Sequence, residues 1–321
     1  MKDFSGKFAV ITGGGTGMGR ELARQLVAEG CNVAICDVSV DNMAQTRALC
    51  EAEGTQGTRV ATFRADVSEE DQMLSFRDAV KKDLETDHIH LLFNNAGIGG
   101  GGSLVDGDRA AWEKTFKVCW NGVYYGVVSF LPMLRAAEEA RIVNTSSVNG
   151  FWASIGPLRP HTAYSAAKFA VKGFTEALIN DLRLTAPHVT CSVVMPGHIG
   201  TPIVANSRKI LSGSNDIVMS EAELDQARRV LRTMGVEDPS ALSKEDIVKL
   251  IENQAQSFEQ NAPTTAADAA RVILDGVRAG KWRILVGEDA HVIDQMVREN
   301  PEQAYEPAFY QEFLNRSGWA I

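Results

Sequence analysis

The chain has 321 residues, 45% of them hydrophobic and 23% charged, proportions that exclude a disordered, fibrous or disulfide-framework protein. Thirty-two lysines and arginines against 41 aspartates and glutamates leave a formal net charge of −9, so no cationic surface is offered to nucleic acid or anionic lipid. The five cysteines are scattered and include no CxxC pair; neither a disulfide scaffold nor a zinc site is suggested, and a reducing, cytoplasmic compartment is expected. Charges at Lys2, Asp3 and Lys7 occupy the stretch where an export signal needs its apolar run, so no such signal is read. The longest uncharged stretch, 118–134, contains Asn121, Ser129 and Pro132 and is shorter than the ~20 apolar residues of a membrane span. It reads as a buried helix.

In chain order, short β-branched apolar runs alternate with longer segments of helical spacing, the pattern of βαβ units around a parallel sheet. Strands are predicted at 8–12, 32–36, 60–64, 89–93, 141–144 and 189–195, with helices at 20–29, 40–53, 69–84, 109–139 and 164–184. A further helix over 266–278, capped by Thr265 with Asp268 three residues on, leads into a last strand at 282–286. The expected fold is a three-layer, doubly wound parallel β-sheet in a single domain over 1–321. Two regions depart from the alternation. An insertion at 204–262 is rich in charge and in helix starts at Ser220 and Ser243. A C-terminal extension at 287–321 carries Phe309, Tyr310, Phe313 and Trp319 and is expected to pack onto the body.

Directly after the first strand comes Thr12-Gly13-Gly14-Gly15-Thr16-Gly17-Met18-Gly19-Arg20, running into a helix. Glycines permit a tight turn and close backbone approach, and a helix N-terminus presents free N–H groups to a pyrophosphate. The strict GxGxxG spacing is absent; GxxxGxG at 13, 17 and 19 takes its place, and an ordinary mobile loop is the competing reading. Asp37 closes the second strand, placed to accept hydrogen bonds from adenosine ribose hydroxyls. The same carboxylate would repel the extra phosphate of NADP, and neither Thr16 nor Val38 supplies a cation to offset it. NAD is therefore expected, by a factor of about ten or more, with a strand-end turn aspartate as the competing reading.

Tyr164-Ser165-Ala166-Ala167-Lys168 puts a phenol and an ammonium on one helix face, a weak signal alone. It follows a strand ending Asn144-Thr145-Ser146-Ser147, and Asn94-Asn95-Ala96-Gly97 ends the strand before that one. Strand C-terminal ends are where open α/β sheets hold ligands.

The set resembles the short-chain dehydrogenases/reductases, over about residues 4–203 and again near 265–288. The resemblance rests on Thr12-Gly13-x-x-x-Gly17-x-Gly19, Asp66-Val67, Asn94-Asn95-Ala96-Gly97, Asn121, Ser147, Tyr164-x-x-x-Lys168 and Pro196-Gly197-x-Ile199-x-Thr201. It implies a Rossmann fold, a nicotinamide cofactor, a small-molecule alcohol or ketone substrate and a homo-oligomer, tetramer or dimer. Hydride-transfer chemistry on an alcohol needs a base near pH 7, and a phenol lowered by about three pKa units needs roughly 4 kcal/mol of preference for phenolate. Tyr164 is the expected general acid/base, with the Lys168 ammonium and the cofactor's own charge lowering it. The resemblance further implies that Ser147 holds the reacting oxygen, Lys168 the nicotinamide ribose, and Asn121 a water-linked proton relay. Likewise Gly13, Thr16, Gly17, Met18 and Gly19 would cradle the cofactor, Asp66 and Val67 border the adenine, and Asn94, Ala96 and Gly97 run along it. Pro196 and Gly197 would form the turn from which Ile199 and Thr201 reach the carboxamide. Asp66 as a helix cap and Asn94 as a turn former are the competing readings.

Ser147 precedes Tyr164 by seventeen residues, more than the family's usual spacing, so extra length is placed at 154–161 and Ser146 remains a rival for Ser147's role. His161 and His198 are read as solvated loop histidines, and no cluster has metal-ligand spacing. Ile203, Val204, Ile210, Leu211, Ile217, Val218 and Met219 of the insertion, with Phe151, Trp152 and Ile155, predict an apolar pocket wall. Such a wall favours a bulky hydrophobic or aromatic secondary alcohol or ketone. An NADP-dependent carbonyl or 3-oxoacyl reductase is the alternative, and a non-catalytic dinucleotide sensor a more distant one.

Overall fold

The structure, a computed structural model, describes residues 1–157, 159–214, 219, 221–233 and 236–319. In chain order the first half runs β1 (Phe8–Thr12), α1 (Gly17–Ala28), β2 (Asn32–Asp37), α2 (Val40–Glu53), β3 (Val60–Arg64), α3 (Glu70–Asp83), β4 (Leu91–Asn94), α4 (Arg109–Phe116), α5 (Gly122–Ala136) and β5 (Ala140–Thr145). It continues with α6 (Thr162–Thr185), β6 (Val189–Pro196), β7 (Ile199–Gly200), α7 (Ile203–Ser212), α8 (Glu221–Thr233) and α9 (Lys244–Gln260). The chain closes with β8 (Thr264–Thr265), α10 (Ala266–Arg278), β9 (Arg283–Val286), α11 (Glu288–Glu299) and α12 (Pro307–Ser317).

Seven strands form one parallel sheet in the order β3-β2-β1-β4-β5-β6-β9. Every residue of β4 and β5 is buried, as strands covered on both faces must be, and this is why they read as continuous apolar runs. On one face Leu22 and Leu26 of α1 meet Ile273 and Leu274 of α10 over Ile11 and Ile35. On the other, Phe76 of α3, Phe130 of α5 and Leu178 of α6 cover Val10 and Ile142. This is the Rossmann architecture, and its strand order reverses between β1 and β4. The crevice outside Thr12, Asn94 and Thr145 is therefore where a ligand belongs.

Two expectations need correction, and one pairing was not foreseen. The single helix expected over 109–139 is two helices joined by a π-helical turn, Lys117–Asn121, and the chain leaves α5 at Ala136 to enter β5. Helical spacing continues on both sides of the turn, so periodicity alone does not reveal it. The stretch expected to be a buried helix is buried on one side only, because Tyr124 and Val128 are exposed. Finally, β7 and β8 pair in a small parallel sheet of their own, Ile199 beside Thr264, which ties together the two ends of the insertion. The caps expected at Ser243 and Thr265 are present: Ser243 and Asp246 form a reciprocal capping box, and Thr265 accepts the Asp268 N–H. Ser220 lies outside the described residues. The tail packs as expected, with Phe309, Phe313 and Trp319 closing on Trp152 in a third core cluster. Among the described residues no helix is long and apolar enough to cross a membrane.

Candidate active site

The turn after β1 is stitched from two sides. The Thr12 hydroxyl accepts the N–H groups of Asn95 at 3.0 Å and Ala96 at 3.1 Å, and Asn95 Nδ2 donates to the Thr12 carbonyl at 3.1 Å. The Asn94-Asn95-Ala96-Gly97 segment thereby fixes the glycine turn. A Cβ on Gly19 would land on the Gly13 carbonyl, so only glycine lets α1 start that close to the strand. Thr16 precedes α1 in an extended conformation (φ −148°) without a side-chain cap, and no acidic residue lies in the first turn. The N–H groups of Gly17, Met18 and Gly19 therefore have no partner within the helix and no side-chain cap, with the positive end of the helix dipole behind them.

At the end of β2, Asp37 Oδ2 accepts the Gly15 N–H and Oδ1 the Ser39 N–H, both at 3.0 Å. A carboxylate has about four lone-pair sites, so two bonds orient it and leave capacity for hydroxyl donors. Sequence reasoning missed a cation nearby. Arg20 donates to the Gly15 carbonyl through Nη2 at 2.6 Å and to Thr46 Oγ1 through Nε at 3.0 Å, locking the turn to α2. Its position directly after Gly19 was the available signal. Asp66 accepts Ser68 Oγ at 2.7 Å and Lys114 Nζ at 2.6 Å. Burial pushes this carboxyl up, but Lys114 and Ser68 outweigh it and hold it below its ordinary value. Val67 packs against Gly122, where α5 begins. Asn94 is directed inward: its amide donates to Asn144 Oδ1 at 2.9 Å, and Asn144 in turn donates to Thr175 Oγ1 at 3.0 Å. That buried chain ties β4, β5 and α6.

Tyr164, Lys168 and Ser147 meet at the end of β5. Lys168, 2% exposed, donates to the Thr145 carbonyl at 2.9 Å and lies 5.3 Å from the Tyr164 ring centroid. The ammonium has three donors; its other side borders Gly97, where an added Cβ would sit 3.4 Å from Nζ. Ser147 Oγ accepts the Asn149 N–H at 3.1 Å, and the Ser147 side chain lies beside the Tyr164 phenol, opposing its rise. Ser146 points elsewhere, donating to the Lys168 carbonyl at 2.7 Å, so of the two serines Ser147 is the one beside the phenol. Burial raises the Tyr164 phenol above its ordinary value despite the Lys168 charge, with Cys119 adding to the rise and the Ser147 hydrogen bond opposing it. The lowering expected from Lys168 is present but outweighed. Asn121 closes the π-helical turn, its Nδ2 3.3 Å from the Tyr125 hydroxyl.

The β6 end and α7 cover the crevice. After Pro196 the Gly197 N–H donates to the Val286 carbonyl at 2.9 Å, and a Cβ there would collide with Asp289. His198, expected to be solvated, is 1% exposed, its N–H donating to Asp289 Oδ2 at 2.6 Å and its Nε2 lying 2.7 Å from the Phe258 carbonyl. Ile199 is buried, and Thr201 packs on Gly17. From α7, Asn206 Nδ2 donates to Thr16 Oγ1 at 3.1 Å and Ser207 Oγ accepts the Gly99 N–H at 2.8 Å. Ile210 and Leu211 of the expected apolar wall join the main core; Ile217 and Val218 lie outside the described residues. Beside the Ser147–Tyr164 loop lies a cavity of about 350 Å³ lined by Trp152, Ser154, Pro160, Tyr305, Glu306 and Tyr310 among others.

A family model described as short chain dehydrogenase matches residues 7–211. The chain is 33% identical over 298 residues to SadH of Mycobacterium tuberculosis, an oxidoreductase by name, covering 93% of this chain and 92% of that one. It is 32% identical over 213 residues to levodione reductase of Leifsonia aquatica, covering 66% and 76%. Among solved structures, a short-chain dehydrogenase/reductase from Burkholderia phymatum in complex with NAD superposes with a TM-score of 0.76 at 29% identity, covering 96% of this chain and 98% of that one. With the family model spanning well over half its length and a relative matched from end to end, the chain belongs to the short-chain dehydrogenase family of oxidoreductases.

Proposed function

We propose that the protein is an NAD-dependent oxidoreductase interconverting a secondary alcohol and a ketone. The observation that carries this reading is the Tyr164 phenol, with Ser147 beside it and the Lys168 ammonium 5.3 Å from its ring, at the sheet's switch point beside an uncapped helix N-terminus. The donors and acceptors there fit a dinucleotide: N–H groups of α1 for the pyrophosphate, Asp37 for adenosine ribose hydroxyls, Lys168 for the nicotinamide ribose. A nicotinamide bound so would supply the hydride acceptor or donor. Ser147, its oxygen already accepting from Asn149, points its own proton at the reacting oxygen and fixes that atom against Tyr164. Tyr164 takes the alcohol proton during oxidation and returns it during reduction. Lys168 favours the phenolate electrostatically, and Asn121 completes a path for the proton to solvent.

Asp37 supports NAD over NADP because its carboxylate would face the added phosphate at like charge. Arg20 does not reverse this, since its guanidinium is already bonded to the Gly15 carbonyl and Thr46. The solved relative with NAD bound adds support. A bulky hydrophobic or aromatic substrate rests on the apolar residues expected to wall the site; the cavity of about 350 Å³ against the 152–160 loop is lined by none of Ser147, Tyr164 and Lys168 and does not bear on the substrate. The name of levodione reductase points to a ketone as well. Five free, buried thiols fit a reducing compartment such as the cytoplasm, and the exposed aromatic face of α5 and α6 fits a homodimer or homotetramer.

The test is reduced-cofactor formation on a panel from short polyols to bulky aryl and polycyclic secondary alcohols, with NAD and NADP in parallel. Turnover of the bulky members with NAD is expected, and Tyr164→Phe should lower kcat by about 10²- to 10⁴-fold while cofactor affinity stays within a few-fold. Full activity in that variant sinks the mechanism; a preference for NADP revives the carbonyl or oxoacyl reductase alternative.

A further inference from the structure

His161 stands at the entrance to α6, and its side chain does none of the work usual at that place. It is the N-cap residue but makes no side-chain cap. Its ring lies against the Tyr164 ring instead, centroids 4.7 Å apart and planes tilted by 38°. The backbone on its C-terminal side is pinned. Thr162 Oγ1 donates to the Gly102 carbonyl at 2.8 Å and receives the Trp112 indole N–H at 2.9 Å, while the Ala163 N–H donates to the Gly101 carbonyl at 3.1 Å. The imidazole is thus held beside the phenol by the glycine segment that follows Gly97.

Among the described residues neither ring nitrogen has a hydrogen-bond partner. Burial holds the imidazole down to about 4, so near neutral pH the ring is uncharged and offers one N–H donor and one nitrogen acceptor. The ring is only part-buried and its nitrogens are open to solvent, whereas phenylalanine would fill the same contact with the Tyr164 ring and offer no polar edge. The feature that distinguishes histidine here is a polar edge that no described protein group occupies, on a ring packed against the Tyr164 ring.

We propose that His161 is a substrate-positioning residue that hydrogen-bonds a second oxygen on the carbon next to the reacting one, so that vicinal diols, α-hydroxy ketones and 1,2-diketones are the preferred substrates. Gauche oxygens on neighbouring carbons lie roughly one hydrogen-bond length apart, so a substrate with its reacting oxygen at the phenol can turn the neighbouring oxygen toward the ring packed on Tyr164. The bulk proposed for the substrate then belongs to its far end, and the vicinal oxygen to its reacting end. This proposal rests on the dehydrogenase reading above.

The experiment compares a secondary alcohol with the vicinal diol of the same carbon skeleton, using the wild type, His161→Phe, which keeps the ring stack, and His161→Asn, which keeps a donor and an acceptor. The wild type should favour the diol in kcat/KM by about tenfold. In His161→Phe that ratio collapses towards one, chiefly through KM on the diol, and His161→Asn recovers part of it. Fluorescence titration with NADH reports whether each variant retains its fold. A packing role alone predicts the opposite pattern, with the ratio kept and Phe the better replacement, and that result overturns the proposal. Turnover of neither substrate by the wild type would sink the dehydrogenase reading and this proposal with it; turnover with an unaltered ratio in both variants removes His161's role alone.

Discussion

At the residue scale, two adjacent serines at the end of β5 separate chemistry from scaffolding. Ser146 is buried and bonded to the Lys168 carbonyl; Ser147 makes no such bond and lies on the phenol's side, opposing its rise. Ser147→Ala should therefore lower kcat by about 10²- to 10³-fold, the cost of removing one donor to a reacting oxygen, with little change in thermal stability. Ser146→Ala should do the reverse, losing about 1 kcal/mol of stability while kcat remains near the wild-type value. Steady-state kinetics and thermal unfolding on the pair check both statements, and equal kinetic losses would return Ser146 to the catalytic role. The Tyr164 phenol carries a pH prediction. Burial keeps it protonated beyond its ordinary range in the free protein, and Lys168 works against that burial. Oxidation needs the phenolate, so its kcat/KM should climb with pH into the alkaline range, while reduction, which needs the phenol, stays level until the proton is lost. Removing the ammonium in Lys168→Met takes away the lowering influence and moves the oxidation limb to higher pH. An unmoved limb would mean that Lys168 does not act on the phenol.

Element by element, the legible parts of the site were those with short sequence reach. Gly13 to Gly19, Asp37 and the Tyr164/Lys168 pair each lie within one strand–turn–helix step, and the caps at Ser243 and Thr265 need only three residues. What was not legible depends on distant partners. The amide of Asn206 meets Thr16 across 190 residues of sequence, and no local pattern marks Asn206 for that bond. His198 resembled a solvated loop residue because Asp289 and Phe258, which enclose it, come from α11 and α9. The π-helical turn at Lys117–Asn121 leaves composition unchanged and is equally silent. The α7 bond suggests its own test. Asn206 and Ser207 join the glycine turn to the segment after Gly97, so α7 spans the crevice in which the cofactor would lie. Asn206→Ala should weaken NADH binding by about fivefold, the worth of one neutral hydrogen bond, through faster dissociation rather than slower association. Stopped-flow fluorescence separates the two, and an unchanged dissociation rate would show that α7 does not retain the cofactor.

For the whole molecule, the outer face of α5 and α6 is the surface a monomer does not explain. Tyr124 and Val128, four residues apart on α5, are each 43% exposed, and Phe169 on α6 is 42% exposed. Trp120 stacks on Tyr124, and Phe174 meets both rings, so the aromatic side chains form a continuous strip rather than isolated exposures. Contiguous apolar patches of this kind mark association sites, and a two-fold axis would let the same strip face itself. The tail, by contrast, closes over Trp152 within one chain, the indole N–H donating to the Ala304 carbonyl at 2.7 Å, and leaves Tyr305 as a single exposed ring. Light scattering at micromolar concentration should therefore give a dimer or a tetramer. Val128→Glu places a charge in the strip without touching the crevice, and burying that charge unpaired against a second copy costs several kcal/mol. The variant should run as a monomer with cofactor affinity intact. A monomeric wild type, or a Val128→Glu variant that associates unchanged, would remove this face from the assembly.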